Sequence, residues 1–178
     1  MDFPLSEVGR SQAARVAEAL GAVRLQAVYS SPLVRALDTA RPLADTHRLE
    51  VTTILDLREM AMGAWEGLNS DEVRERFGAV FQEWWNNPER AQIPGGETLP
   101  AVRDRVVAAI SGIVSSHPNG NIAVVAHGIV NRVAILTLVG APLTSIWRLK
   151  QDNACINVLE IDGGHTILHV LNETTHLK

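Results

Sequence analysis

The stretch Asn121 to Val133, NIAVVAHGIVNRV, decides the fold of this 178-residue chain. Residues Ile122 to Ala126 form an unbroken apolar run rich in β-branched side chains, a pattern typical of a strand buried on both faces in a parallel sheet. After His127 and Gly128 the apolar period changes to that of a helix, which begins near Ile129. The stretch therefore predicts a buried strand that turns directly into a helix.

The predicted turn makes His127 a candidate functional residue. It would lie at the carboxyl end of a strand and beside the unpaired N–H groups of a helix N-terminus, which together form an anion site. Ligands of open α/β sheets bind at the carboxyl ends of strands, so an imidazole there is a candidate for phosphate chemistry. Gly128, at the same turn, is a candidate substrate contact. The alternative for His127 is a core histidine whose hydrogen bonds are satisfied.

Short strands alternate with helices through the rest of the chain. The patterns predict helices over 6–20, 70–85 and 98–116, strands over 25–29 and 49–54, and two final strands, 155–161 and 166–171, joined at Asp162-Gly163-Gly164. This alternation predicts a single domain, 1–178, built as a three-layer α/β/α sandwich with a mostly parallel sheet and a C-terminal antiparallel hairpin.

A second candidate site follows the predicted strand 25–29. Ser31 is suited to the N-cap and Pro32 to the first position of the next helix. Arg35 would then lie in or near the first turn, where a guanidinium can bind a phosphate bidentately together with helix N–H groups. Ser30, at the end of the strand, is a candidate substrate contact. The alternative for Arg35 is a solvated surface position.

Glu59 is a candidate general acid. Its neighbours Leu57, Met60 and Met62 are apolar, and a partly dry setting would raise its pKa and keep the carboxyl protonated. Glu66 in the same loop competes for this role. The alternative for Glu59 is an ordinary surface carboxylate.

Composition limits the kind of protein and its partners. The chain is 46% hydrophobic and 20% charged, as expected for an ordinary soluble domain. The single Cys155 excludes an internal disulfide and indicates a reducing compartment. A net charge of −4 argues against a nucleic-acid partner. Arg132 interrupts the most apolar window, 122–141, and residues 1–10 lack a signal-peptide core, so we expect no membrane span and a cytoplasmic location. Self-association stays open.

Several stretches together resemble the histidine phosphatase superfamily, the phosphoglycerate mutase-like proteins. They are PLSEVGRSQA (4–13), VYSSPLVRALDTA (28–40), LREMAMGAWEG (57–67), PGGETL (94–99), VVAHGIVNR (124–132) and, more weakly, DNACINVLEI (152–161). The resemblance implies hydrolysis of a small phosphorylated metabolite through a phosphohistidine, without a metal or other cofactor. It implies that Arg35 binds the phosphate, that Glu59 donates a proton, and that His127 is the second histidine of the pocket.

The chain departs from the family in one respect. The family's nucleophilic histidine lies in an Arg-His-Gly triplet on a first strand, ahead of the PLSEVGR-like segment, and no such triplet occurs in the 178 residues. Three interpretations follow: a phosphatase whose N-terminal strand is missing from this sequence, a non-catalytic domain that binds phosphorylated metabolites or serves as an interaction module, and a phosphoglycerate mutase. The mutase ranks below the phosphatase because the span from Glu59 to Gly95 is short. It leaves little room for the insertion that the resemblance implies in mutases.

The same resemblance predicts an open sheet edge. The family's first strand lies inside the sheet, beside the strand that precedes the pocket histidine. Without that strand, we expect one edge of 122–126 to be exposed unless the C-terminal hairpin covers it.

Overall fold

The computed structural model describes residues 2–178. Within them the α-helices are α1 (Glu7–Ala19), α2 (Val34–His47), α3 (Ser70–Asn86), α4 (Leu99–Ser116) and α5 (Gly128–Leu138), and the strands are β1 (Leu25–Ser30), β2 (Val51–Thr53), β3 (Asn121–Val125), β4 (Ile156–Asp162) and β5 (His165–Glu173). None of these helices is long and apolar enough to cross a membrane.

The strands form two separate sheets. β1 is the central strand of a parallel sheet with the order β2-β1-β3. Val28 of β1 pairs with Val51 on one side and with Ala123 on the other. β4 and β5 form an antiparallel hairpin, which turns at Gly163 and Gly164, both with the positive φ that glycine adopts without a steric penalty. The predicted combination of a parallel sheet and a C-terminal hairpin is confirmed.

Helices cover both faces of the parallel sheet. On one face, Ala17 of α1 and Leu43 of α2 pack with Val28 in a buried apolar cluster. Neighbouring strand residues point to opposite faces, and on the other face the Tyr29 hydroxyl lies 2.8 Å from the His117 imidazole at the end of α4. Helix α4 in turn packs against α5. This is the α/β/α arrangement that the sequence predicts.

β3 is less buried than its sequence predicts. Val124 is 37% exposed, and Ile122 and Val125 are only partly buried. The prediction of a strand buried on both faces was therefore wrong. The reason is that β3 is an edge strand: among residues 2–178 it pairs with β1 alone, and the β4–β5 hairpin does not join it.

Helix α2 begins at a different residue from the one predicted. Its N-cap is Leu33, which makes no side-chain capping bond, so Ser31 and Pro32 do not fill the cap and first positions. Arg35 still lies in the first turn. Helix α3 begins at residue 70, as predicted, and its N-cap Asn69 accepts from two backbone N–H groups in a capping box.

Aromatic side chains of α3 contribute to the core. Trp84 is 4% exposed and its carbonyl accepts a 2.9 Å hydrogen bond from the indole N–H of Trp147. Trp85 packs on Trp147 with 4.7 Å between ring centroids, although it is half exposed. These two contacts fasten α3 to the segment after α5.

Candidate active site

The carboxyl ends of β1 and β3 bring two helix N-termini together. The two strands are parallel neighbours, and the backbone N–H of Ser31 donates to the Val125 carbonyl at 2.9 Å just beyond β1. Helix α2 begins shortly after β1, and α5 begins directly after β3. Arg35, in the first turn of α2, and His127, the N-cap of α5, therefore belong to the same edge of the sheet.

His127 is held in a buried polar contact. It is 7% exposed, and its Nε2 lies 2.7 Å from Oγ of the fully buried Ser31. Ser31 Oγ also accepts the backbone N–H of Leu33 at 3.2 Å. Burial, with a smaller contribution from the Arg35 guanidinium, lowers the pKa of His127 to about 4. The imidazole is therefore neutral at pH 7.

The start of α2 already binds an anionic oxygen. Oδ1 of Asp2 accepts the Val34 N–H at 2.9 Å and lies 3.8 Å from Nη1 of Arg35. A carboxylate is favoured here because the helix N-terminus and the guanidinium are both positive. The same donors suit a phosphate oxygen.

Glu59 lies against the start of α5. Its Oε1 accepts the Met60 N–H at 2.9 Å, and the backbone N–H groups of Ile129 and Val130 at the start of α5 lower its pKa. Burial nevertheless outweighs these groups and the attraction of Arg35, so the pKa of Glu59 is raised above its ordinary value. The structure thus places a carboxyl group with a raised pKa beside the His127 turn.

The other predicted site residues occupy different surroundings. Ser30 is fully buried, and its hydroxyl donates to the Ser31 carbonyl at 2.9 Å. Gly128 is the first residue of α5, next to His127. Glu66 is exposed at the end of a 3₁₀ turn. Substrate contacts by Ser30 and Gly128, and the catalytic roles of Arg35, Glu59 and His127, stay predictions.

Sequence analysis did not identify four residues of the site region. Ser31 was expected to cap a helix and instead contacts the imidazole of His127. Asp2 carries no sequence signal that connects it with Arg35. Glu97 and Arg105 form a partly buried ion pair next to the Glu59 loop, and of these residues only Glu97 belonged to a motif, PGGETL. The Ser31–His127 contact spans 96 positions. Glu97 and Arg105 are only eight residues apart, but their hydrogen bonds to the Glu59 loop span 36 to 49 positions.

A buried histidine, an arginine and a partly buried carboxyl group at the carboxyl edge of a parallel sheet are typical of an α/β protein that binds an anion there. The sequence model of the Histidine phosphatase superfamily (branch 1) matches residues 1–174. The chain belongs to this family, as its motifs predict.

Individual relatives support membership of this family. The chain is 33% identical over 177 residues to "Phosphoserine phosphatase 1" of Hydrogenobacter thermophilus, covering 99% of this chain and 84% of the relative. It is 34% identical over 181 residues to "Metal-independent phosphoserine phosphatase" of Arabidopsis thaliana, covering 100% of this chain and 74% of the relative.

Solved structures show the same fold. YhfR of Bacillus stearothermophilus superimposes with a TM-score of 0.94 at 30% identity, covering 99% of this chain and 88% of that one. A mycobacterial glucosyl-3-phosphoglycerate phosphatase in complex with inorganic phosphate gives a TM-score of 0.90 at 28% identity, covering 99% of this chain and 90% of that one.

Proposed function

We propose that this protein is a phosphomonoester hydrolase that acts on a small phosphorylated metabolite. The observation that carries the proposal is the pair of contacts made by Asp2: its carboxylate oxygen is bound by the α2 N-terminus and faces the Arg35 guanidinium. The names of relatives, phosphoserine phosphatases among them, support a phosphomonoester as the ligand.

In the proposed site, Arg35 and His127 bind the transferring phosphoryl group. That group carries its charge on three equatorial oxygens, so positioned donors stabilise the transition state. Arg35 supplies a permanent cation on a rigid helix. His127 is neutral at pH 7 because its pKa is about 4, and it gains a proton more readily once an anion lies beside it.

Glu59 is the proposed proton donor. The leaving alkoxide of an unactivated ester needs a proton, and a general acid works best when its pKa approaches the working pH. Burial moves the pKa of Glu59 in that direction. The N–H groups of Ile129 and Val130, at the start of α5, act on its pKa, which supports a position of Glu59 at the edge where the phosphate would lie.

The phosphoryl acceptor is assigned to a histidine that these 178 residues do not include. The resemblance places the acceptor in an Arg-His-Gly triplet, and the chain contains none. His127 keeps the role of second histidine. On this proposal the 178-residue chain binds phosphate but does not hydrolyse phosphomonoesters.

The test is phosphate release from a panel of phosphomonoesters by two proteins: the 178-residue chain, and the same chain extended at its N-terminus by a strand that carries Arg-His-Gly. We expect turnover only from the extended protein. Phosphate binding without turnover by both would favour a non-catalytic binding domain. Conversion of 3-phosphoglycerate to its isomer, rather than release of phosphate, would favour a mutase.

A further inference from the structure

We propose that Arg105 and Glu97 are positioning residues that hold Glu59 in the site by clamping the backbone on both sides of it. The inference rests on the proposed function of Glu59 as the proton donor. The clamp consists of these two side chains and the backbone groups of Asp56, Arg58 and Ala61 that they bind.

Arg105 fixes the backbone before Glu59. Its Nη1 donates to the carbonyl of Asp56 at 2.5 Å and to the carbonyl of Arg58 at 2.8 Å. Asp56 lies in the short 3₁₀ turn Leu55–Leu57 and Arg58 directly follows it, so neither carbonyl belongs to an α-helix or a strand ladder. One guanidinium therefore sets the course of the chain into Glu59.

Glu97 fixes the backbone after Glu59. Its Oε2 accepts the Ala61 N–H at 2.9 Å, and the Glu97 N–H donates to the Ala61 carbonyl at 2.8 Å. Both polar groups of Ala61 are thus bound by one residue. The segment is also packed closely: a Cβ at Gly63 would clash with the Pro94 carbonyl oxygen.

Arg105 and Glu97 hold each other in a bidentate pair. Nε and Nη2 of Arg105 lie 2.8 and 2.9 Å from the two carboxylate oxygens of Glu97. Burial raises the pKa of Glu97, but the hydrogen bonds from Arg105 and Ala61 outweigh it and the pKa is lowered, so the pair is ionised at pH 7. Planar bidentate geometry fixes orientation as well as distance.

The clamp is anchored on a rigid element. The Arg105 side chain is only 10% exposed, and the adjacent Val106 of α4 is completely buried. Helix α4 packs against α5, whose first N–H groups face Glu59 closely enough to lower its pKa. Glu59 is therefore held from the loop side by the clamp and from the other side by α5.

The test measures the Glu59 pKa by ¹³C NMR titration of its carboxyl carbon, assigned with Glu59→Gln, in the 178-residue chain. Arg105→Lys keeps the charge and cannot reproduce the fork of hydrogen bonds. We expect the Glu59 pKa in this variant to fall towards its ordinary value, because a released loop gives the carboxyl group to solvent. Loss of the Arg105 charge alone would raise the Glu59 pKa, since a nearby cation stabilises the carboxylate. A fall in this pKa therefore reports the released loop.

The controls separate a local effect from a general loss of structure. Arg103→Gln removes an exposed arginine from the same helix, paired with Asp104, and should leave the Glu59 pKa unchanged. If Arg105→Lys does not fold, Glu97→Asp, which keeps the charge and shortens the side chain that binds the Ala61 N–H, should lower the Glu59 pKa in the same way. A wild-type Glu59 pKa in a folded Arg105→Lys or Glu97→Asp variant would overturn the clamp.

Titration of the wild-type chain with inorganic phosphate tests the proposed function separately. Shifts of the Arg35 and His127 resonances report on phosphate binding, and their absence would count against the phosphatase. The Glu59 titration does not depend on phosphate, so the clamp can stand or fail without that result.

Discussion

Nε2 of His127 lies 2.7 Å from Oγ of Ser31, and the two residues follow neighbouring strands although 96 positions separate them. The contact fixes the ring of the site's one buried histidine among the described residues. Because Ser31 also accepts the Leu33 N–H, the hydroxyl links the start of α2 to the imidazole.

Replacement of Ser31 by alanine should release this ring. A buried nitrogen that loses its partner costs about 1–3 kcal/mol, so we expect a lower free energy of unfolding and an altered ¹⁵N spectrum of the His127 imidazole. Ser30→Ala removes a buried hydroxyl one residue away that does not touch the ring. Identical His127 spectra in Ser31→Ala and wild type would show that the contact does not position the imidazole.

Stability should depend on pH through His127. Its pKa is lowered to about 4 in the folded chain from 6.5, so between these values the unfolded state binds a proton that the folded state does not. The free energy of unfolding should therefore fall as pH decreases through this window, by on the order of 3 kcal/mol.

Glu59 acts with the opposite sign, so a variant is needed to isolate His127. The pKa of Glu59 is raised in the folded chain from 4.5. Its contribution to the free energy of unfolding is therefore fully present below pH 4.5 and is lost as the pH rises through the folded-state pKa. Urea denaturation of wild type and His127→Gln at several pH values gives the difference. Parallel curves for the two proteins would contradict the lowered His127 pKa.

The sequence predicts the central features of the fold because they are local. The apolar run before His127 and the change of period after it are visible within a dozen residues. The start of α2 was predicted wrongly because its capping group is the Asp2 carboxylate, 32 positions away, which no local pattern reports. The hydroxyl of Ser31, the expected cap, contacts His127 instead.

The exposure of β3 also depends on contacts that a local sequence pattern does not report. An apolar run predicts burial, yet burial also depends on what pairs with the strand, and β3 has β1 as its only strand partner among the described residues. Sequence patterns likewise could not predict the Arg105–Glu97 clamp, because Arg105 donates to carbonyls 47 and 49 positions away.

Arg35→Ala, in the protein extended by the Arg-His-Gly strand, should reduce turnover on the order of 10²-fold or more, comparable to removal of one oxyanion donor. His127→Ala should have a similar effect. Arg41→Ala provides the control, since Arg41 lies on the same helix and pairs at the surface with Asp38. Steady-state phosphate release measures all three, and near wild-type turnover in Arg35→Ala would remove it from the site.

Glu59→Gln should reduce turnover most for esters with poor leaving groups. A phenolate of low pKa leaves without a proton, whereas an alkoxide needs one. Phosphate release from a series of aryl and alkyl phosphates should therefore show a steeper dependence on leaving-group pKa in the variant. Equal losses across the series would count against Glu59 as the acid, as would the same pattern in Glu66→Gln.

The open edge of β3 should make the 178-residue chain self-associate. The strand carries no charged residue, and its unpaired backbone groups can pair with an edge of another chain. No second strand among residues 2–178 pairs with this edge, since the hairpin forms a sheet of its own. We therefore expect the average mass in sedimentation equilibrium to rise with concentration.

A lysine at Val124 should suppress this association, because a charge on an edge strand opposes pairing. Val124 is 37% exposed, so the side chain can be accommodated. Val139→Lys is the matched control, a 38% exposed valine at the end of α5 and outside the sheet. Association that falls only in Val124→Lys locates the contact at β3. A wild-type chain that stays monomeric and stably folded at every concentration would show that this edge tolerates solvent on its own.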